Sequence, residues 1–183
     1  MTSWAVSDCP GMARHRTGMS VGVSATVGPN VLGPGLLLGV GLGAFVDGIV
    51  LHQLLRWHHL LSSRPGSSLT ANLTADGVFH AGAWLAVLVG VLWLWRRSRQ
   101  THVNGQWTAL VAAMVAGWGS FNVVEGLLDH YLLKLHHVRP GPNQATYDLA
   151  FLIFGVLLAV GGFAWYRRAT HSVRASSRAP APR

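Results

Sequence analysis

The sequence predicts an all-α integral membrane protein, a four-helix bundle made of two tandem, parallel helical-hairpin repeats with both termini in the cytoplasm. Half of the 183 residues are apolar and only 11% are charged, a composition that is rare among soluble domains of this size. Four apolar segments approach the roughly 20 residues that a helix needs to cross a bilayer. A histidine-containing motif also occurs twice. The formal charge of +8 comes from basic groups that flank the apolar segments, which indicates a membrane protein and not a nucleic-acid-binding one.

The four apolar segments cover about residues 31–55, 78–95, 107–130 and 148–166. In the first segment Gly35, Gly39 and Gly43 recur every fourth residue, and such a stripe predicts the close approach of another helix. Glycines without any packing role would look the same. The composition predicts a disordered cytoplasmic tail at 1–29, a transmembrane domain at 30–168 with repeats at 31–97 and 107–168, and a second disordered cytoplasmic tail at 169–183.

The distribution of lysine and arginine predicts the orientation in the membrane. Ten of these residues lie in the N-terminal tail, the loop between the second and third segments and the C-terminal segment, whereas four lie in the other two loops. Basic residues accumulate on the cytoplasmic side of membrane proteins. We therefore expect a multi-pass protein of the inner (cytoplasmic) cell membrane, with the loops near residues 60–75 and 137–146 outside.

The internal repeat joins residues 47–59 (DGIVLHQLLRWHH) to residues 125–137 (EGLLDHYLLKLHH) at a constant offset of 78 residues. Both copies follow the pattern acid-Gly-x-x-x-His-x-Leu-Leu-base-x-His-His, which includes residue types that are rare in membrane helices. Both copies also begin on the cytoplasmic side, so the repeats are parallel and should be related by a pseudo-two-fold axis along the membrane normal. The two motifs should then lie at the same depth in the bilayer.

The acidic and histidine side chains are concentrated at the outer ends of the predicted helices, which hold five of six acids and seven of ten histidines. An ionisable group inside a membrane helix costs on the order of 2.5 kcal/mol or more, so the buried acids need a cationic partner. The candidate metal ligands are Asp47, His52, His58, His59, Asp76, His80, Glu125, Asp129, His130, His136 and His137.

Helical geometry predicts which of these candidates share a face. At about 100° per residue, Asp47 and His58 fall on one stripe. In the second copy Glu125 and His136 fall on the matching stripe together with Asp129. The other pairs predicted to share a face are His52 with His59, His130 with His137, and Asp76 with His80. In a four-helix bundle these stripes can meet in one pocket of nitrogen and oxygen donors.

A pocket of imidazoles and carboxylates suits iron, manganese, zinc or copper(II). Copper(I) is less suitable, because Cys9 is on the predicted cytoplasmic side and Met114 is in mid-helix. Structural roles for the same residues stay open: Asp76 and Asp148 could cap helix N-termini, the outermost histidines could lie in the headgroup region, and the deeper polar groups could hold helices together by hydrogen bonds.

Several polar motifs together resemble a bacterial family of predicted membrane proteins, domain of unknown function 2243. The segments that carry the resemblance are residues 45–52, 56–59, 76–80, 121–130, 136–139 and 147–148. The resemblance implies a four-helix membrane protein and supplies no activity. Members of the family lie near cytochrome oxidase assembly proteins, which suggests an accessory role in the assembly of a respiratory oxidase as one alternative.

The sequence favours a metalloprotein with a mononuclear or dinuclear site and a role in redox chemistry or metal handling. A b-type haem held by His52 and His130 is a less favoured alternative, since carboxylates crowd the same pocket. A proton or ion relay is another, because intramembrane acids and histidines mark such routes. No nucleophile–base pair or phosphate loop is present, so the sequence does not predict whether the protein is an enzyme. The predicted partners are the lipid bilayer and either a second copy of the chain or a respiratory assembly protein, and no nucleic acid.

Overall fold

The computed structural model describes residues 31–100 and 106–178, which are all-helical and contain no strand. Four helices in these ranges are long and apolar enough to cross a membrane, as the sequence predicts. The predicted N-terminal tail, the histidine at position 102 and the last five residues lie outside the described residues.

Two helices are purely α-helical, and two continue as π-helices. The elements are α1 (Leu32–Val46) followed by a π-helix (Asp47–Leu54), α2 (Leu69–Gln100), α3 (Trp107–Glu125) followed by a π-helix (Gly126–Leu132), and α4 (Gln144–Arg178). α2 begins nine residues before its apolar segment, and the Ser68 hydroxyl accepts a hydrogen bond from the Ala71 N–H at that start. α4 continues through Arg178, so the predicted C-terminal tail is helical over its first residues. Hydropathy reports the membrane-embedded part of a helix and not its polar extensions.

The central pair of the fold is α1 and α3, with α2 packed on the other side of α1 and α4 on the other side of α3. In the most apolar 18-residue stretch of each membrane helix, 50% of the first helix is buried inside the protein, whereas only 11% of α2 and 11% of α4 are buried. Within the described part of the chain α2 and α4 do not contact each other. The arrangement thus differs from a bundle in which all four helices enclose one core.

The glycine stripe of α1 lies against α3, which confirms the close approach predicted from its spacing. A methyl group at Gly35 would meet the Cβ of Ala113 at 2.6 Å, and one at Gly39 would overlap the carbonyl of Met114. On the facing helix, Gly117 lies equally close to the Leu36 carbonyl. The absence of side chains at these positions lets the two backbones touch, which is the usual way in which membrane helices gain packing energy.

Replacing Gly39 with leucine is expected to destabilise the protein by roughly 1–3 kcal/mol or more, because the added side chain must displace backbone and not a flexible side chain. The readout is the apparent Tm of the purified protein in detergent. Gly161→Leu in α4 is the matched control, since nothing lies within 4 Å of a Cβ there. Equal stability of the two variants would contradict this description of the α1–α3 contact.

Both central helices end in the same way. After each π-helix the chain turns through a residue with positive φ, Arg56 at 51° and Lys134 at 48°, a conformation that is uncommon for residues other than glycine. The backbone therefore leaves the helix before the paired histidines that follow. The predicted continuation of the helices through His58 and His136 is wrong, because both histidines follow the helix ends. The Nε2 of His136 nevertheless lies 3.7 Å from Glu125, the acid with which it was expected to converge.

Candidate metal centre

Four buried histidines form one cluster where the two central helices end. They are His52, His58, His130 and His136, each exposing at most 3% of its surface. The ring centroids of His52 and His58 are 4.4 Å apart, those of His58 and His136 are 4.5 Å apart, and those of His130 and His136 are 4.8 Å apart. The turns at Arg56 and Lys134 bring the second histidine of each motif back over the end of its own helix.

Hydrogen bonds to main-chain carbonyls orient the two loop histidines. His58 donates from Nδ1 to the carbonyl of Val138 at 2.8 Å, and His136 donates from Nδ1 to the carbonyl of Leu60 at 3.3 Å. A carbonyl can only accept, so the proton of each ring is on Nδ1 and the Nε2 lone pair is free. Each half of the chain thus orients a histidine of the other half.

Both loop histidines are held in the neutral form. Burial, with a smaller contribution from the neighbouring His52, lowers the pKa of His58 to about 4. Burial and the stacked His58 lower the pKa of His136 to about 2. Neutral imidazole is the form that binds metal ions, and these two rings have that form at physiological pH.

His52 and His130 are the helical members of the cluster, and each is associated with an aspartate from an outer helix. His52 donates from Nδ1 to Asp76 at 3.0 Å, which leaves its Nε2 3.1 Å from a carboxylate oxygen of Asp47. Two hydrogen-bond acceptors at that separation need a proton or a cation between them. The Nδ1 of His130 is 3.6 Å from Asp148, a looser version of the same contact.

Two buried carboxyl groups, Asp47 and Glu125, complete the inner cluster. Asp47 is 4% exposed and Glu125 is 5% exposed, and the two side chains interact directly. The Nε2 of His136 is 3.7 Å from Glu125. Adjacent carboxylates in a buried site repel each other unless they share a proton or bind a cation.

Six side-chain atoms that face this cluster are buried and have no hydrogen-bond partner. They are the Nε2 atoms of His52, His58, His130 and His136, with Oδ2 of Asp47 and Oε2 of Glu125. Buried polar atoms without partners are rare and costly, and an ion that the structure does not contain is one of the usual reasons for them. The ligand atoms of His52, His58 and His136 lie within 4.8 Å of one another, as do those of Glu125, His130 and His136.

An outer shell of polar groups surrounds the cluster. His59 donates from Nδ1 to Asp76 at 2.6 Å, and His137 donates to Asp148 at 2.7 Å. Each aspartate also accepts a main-chain N–H, from Leu60 and from Val138 respectively. Neither aspartate is in the first turn of its helix, so the alternative of a helix-capping role, which the sequence left open, does not apply to either. Carboxylates that hold the far nitrogen of a ligand histidine are typical of metal sites.

Five of the eleven predicted ligands lie outside the inner cluster, and two of these, His80 and Asp129, also lie outside the shell of aspartates and histidines around it. His80 donates from Nδ1 to the Asp76 carbonyl in its own helix and packs over Gly48. Asp129 is half-buried and belongs to neither group of clustered ligand atoms. His59, His137 and Asp76 surround the inner cluster: Asp76 accepts a hydrogen bond from His52, whereas His59 donates to Asp76 and His137 donates to Asp148.

The sequence analysis did not identify Asn122 as a site residue, and it did not include Asp148 among the candidate ligands, although Asp148 accepts a hydrogen bond from His137 and lies 3.6 Å from His130. Asn122 is buried in the middle of α3, and its side-chain oxygen has no hydrogen-bond partner. The sequence did contain a signal for Asn122, which is an asparagine within an apolar membrane helix. Such a polar side chain usually has a hydrogen-bond partner, so its position indicates a contact or a binding site.

Comparison with known proteins identifies the family of the chain. A family model described as "Predicted membrane protein (DUF2243)" matches residues 34–169, the range that contains the apolar parts of all four helices and the whole histidine cluster. No curated protein and no solved structure matches the chain. The chain therefore belongs to the family of predicted membrane proteins named domain of unknown function 2243.

Proposed function

We propose that this protein is a membrane metalloprotein, with a centre formed by the four clustered histidines and the carboxylates of Asp47 and Glu125. The observation that carries the proposal is the set of unpartnered, buried Nε2 atoms and carboxylate oxygens. One cation, or a closely spaced pair, among these atoms would provide the partners that they lack and would offset the repulsion of the two carboxylates.

The donors favour iron, manganese, zinc or copper(II), since imidazole and carboxylate are ligands of intermediate and hard character. His136 belongs to both groups of clustered ligand atoms, an arrangement that suits one ion or a closely spaced pair. The role that we assign is redox chemistry or metal handling, with Asp76 and Asp148 orienting the ligands.

The arrangement of the rings argues against a haem between His52 and His130. The rings of His58 and His136 occupy the space between these two, with His58 4.4 Å from His52 and His136 4.8 Å from His130. Axial ligands must face each other across a flat macrocycle, and here two imidazoles would have to leave first.

A proton relay is the second candidate function. His59 is partly exposed and is hydrogen-bonded to Asp76, which is hydrogen-bonded to the fully buried His52. Such a chain connects the surface to the cluster. Among the residues that the structure describes, the opposite end is an apolar core that includes Val31, Leu38, Ala109 and Leu110, and this core offers no polar continuation. We therefore prefer the metal centre.

The two halves of the site support an origin by duplication. His58 contacts Val138 as His136 contacts Leu60, and these two pairs are related by the offset of 78 residues. The positive φ at Arg56 and Lys134 follows the same offset. We infer tandem, parallel repeats with a pseudo-two-fold axis along the helices.

We further propose that both termini are cytoplasmic and that the metal centre lies near the extracytoplasmic face of the inner membrane. The support is the excess of basic residues at the other end of the helices. With Cys9→Ser as background, Ser62→Cys should react with a membrane-impermeant maleimide in intact cells, and Ser98→Cys should react only after lysis. The reverse pattern would place the centre on the cytoplasmic side.

Purified protein is expected to contain a transition metal and no haem. The test is element analysis of protein extracted in mild detergent without chelators, read together with its visible spectrum. One or two ions per chain without a Soret band is the expected result. A strong Soret band would favour the haem alternative, and a protein free of both metal and haem would favour the proton relay.

A further inference from the structure

Two adjoining cavities open beside the metal centre on the lipid-facing side of α1 and α3. The larger has a volume of about 480 Å³ and is lined only by apolar side chains, whereas the smaller, of about 200 Å³, also reaches α4. Both are lined by Val46, Val50 and Trp118, so they form one continuous groove. Val46 is 41% exposed and Ile49 is 45% exposed, which opens the groove to the membrane.

The inner wall of the smaller cavity contains two polar side chains, Asn122 and Asp47. Asn122 is 2% exposed and Asp47 is 4% exposed, and each has a buried oxygen without a hydrogen-bond partner. Both oxygens are acceptors, so an occupant that satisfies them must donate a hydrogen bond. The remaining wall includes the aromatic rings of Trp118, Phe151 and Phe154, which favour a flat ring.

We propose that this groove binds a membrane-soluble hydroquinone. The ring occupies the smaller cavity between the aromatic side chains, and one hydroxyl donates to the side-chain oxygen of Asn122. The apolar tail lies in the larger cavity, where every lining side chain is apolar. Binding sites that combine an apolar body with a few polar groups that fix orientation have this construction.

The two unpartnered oxygens, of Asn122 and Asp47, together distinguish a hydroquinone from the other lipophilic molecules of a membrane. A phospholipid acyl chain has no hydroxyl to donate to them, and the oxidised quinone has only acceptors, so neither satisfies both oxygens. A site built to hydrogen-bond a hydroxyl discriminates strongly against an analogue that lacks it, because the buried acceptor is then unpaired. The proposal goes beyond the metal centre: the smaller cavity shares Asp47 with that centre, whereas Asn122 is not among the residues that we assign to it.

The test is anaerobic isothermal titration of the full-length protein in detergent with a hydroquinone that has a decyl tail, and separately with its quinone. Wild-type protein should bind the hydroquinone at least tenfold more tightly than the quinone. Asn122→Leu should weaken hydroquinone binding about tenfold, close to 1.4 kcal/mol, and leave quinone binding and metal content unchanged. Ser120→Ala, on the same helix, is the control and should bind as wild type.

Val46→Trp places a large side chain where the two cavities meet, so it should abolish binding of both compounds. The comparison of hydroquinone with quinone uses wild-type protein and needs no variant to fold. The proposal is overturned if wild type binds neither compound or binds both equally. It is also overturned if the groove retains only phospholipid, or if the hydroquinone binds Asn122→Leu and Val46→Trp as tightly as wild type.

Discussion

Replacing His136 with alanine is expected to lower the bound metal at least about tenfold. His136 is the one residue common to both groups of clustered ligand atoms, and it is fully buried with its Nε2 unpartnered. Its removal deprives both groups of the same nitrogen ligand, and metal affinity depends on the number of ligands that the fold brings together. Element analysis of purified protein gives the result directly.

The matched control for His136→Ala is His80→Ala. His80 is near the cluster, but it donates to the main chain of its own helix and lies outside the inner group. His80→Ala should therefore retain the metal of the wild type. Monodispersity and the apparent Tm in detergent establish that the His136 variant is folded. A folded His136→Ala protein with full metal content would remove this residue from the centre.

Asp76→Asn and Asp148→Asn are expected to weaken metal binding roughly 10–100-fold each, the usual effect of losing a carboxylate that orients a ligand histidine. Asp76 holds His52 at 3.0 Å and Asp148 lies 3.6 Å from His130. The shorter contact predicts that Asp76→Asn has the larger effect. Asparagine preserves the volume of the side chain, and competition with a chromophoric chelator measures the affinity.

Asp129→Asn is the control for these two variants, because Asp129 is a half-buried carboxylate outside both groups of ligand atoms. It should leave metal affinity within about threefold of wild type, well inside the effect expected for an orienting carboxylate. If all three variants have the same affinity, then Asp76 and Asp148 serve the fold and not the metal. If Asp148→Asn alone is affected, the two halves of the site are not equivalent.

The helices and the polar end of the protein could be predicted from the sequence because their causes are local. Length and apolarity indicate a membrane helix, and a four-residue spacing of Gly35, Gly39 and Gly43 indicates close packing. The concentration of acids and histidines at one end of the apolar segments also indicated where the site lies. These features need no knowledge of the loops.

The geometry of the site could not be predicted, because it depends on how the chain leaves the helices. A positive φ at an arginine or a lysine has no reliable sequence signal, and the hydrogen bonds of His58 to Val138 and of His136 to Leu60 depend on the turns at these residues. The contacts of Asp76 and Asp148 with the cluster histidines could not be predicted for a related reason. Hydropathy placed these residues at helix starts, where a cap is the simplest interpretation, whereas the helices begin earlier.

The contacts between halves explain why neither repeat is expected to form the centre alone. The ring of His58 is oriented by Val138, and the ring of His136 is oriented by Leu60. Each motif therefore supplies proposed ligands, and the loop that follows it orients a proposed ligand of the other motif. A single repeat would retain histidines in the right order along the chain without the carbonyl that fixes their orientation.

Anomalous X-ray diffraction at the absorption edge of the bound metal is the measurement that tests the metal centre most directly. We predict a peak among the Nε2 atoms of His52, His58, His130 and His136, at roughly 2.0–2.2 Å from those that bind it. Asp47 or Glu125 should provide an oxygen ligand. A metal-loaded crystal in which the anomalous peak lies away from these four histidines would contradict the account.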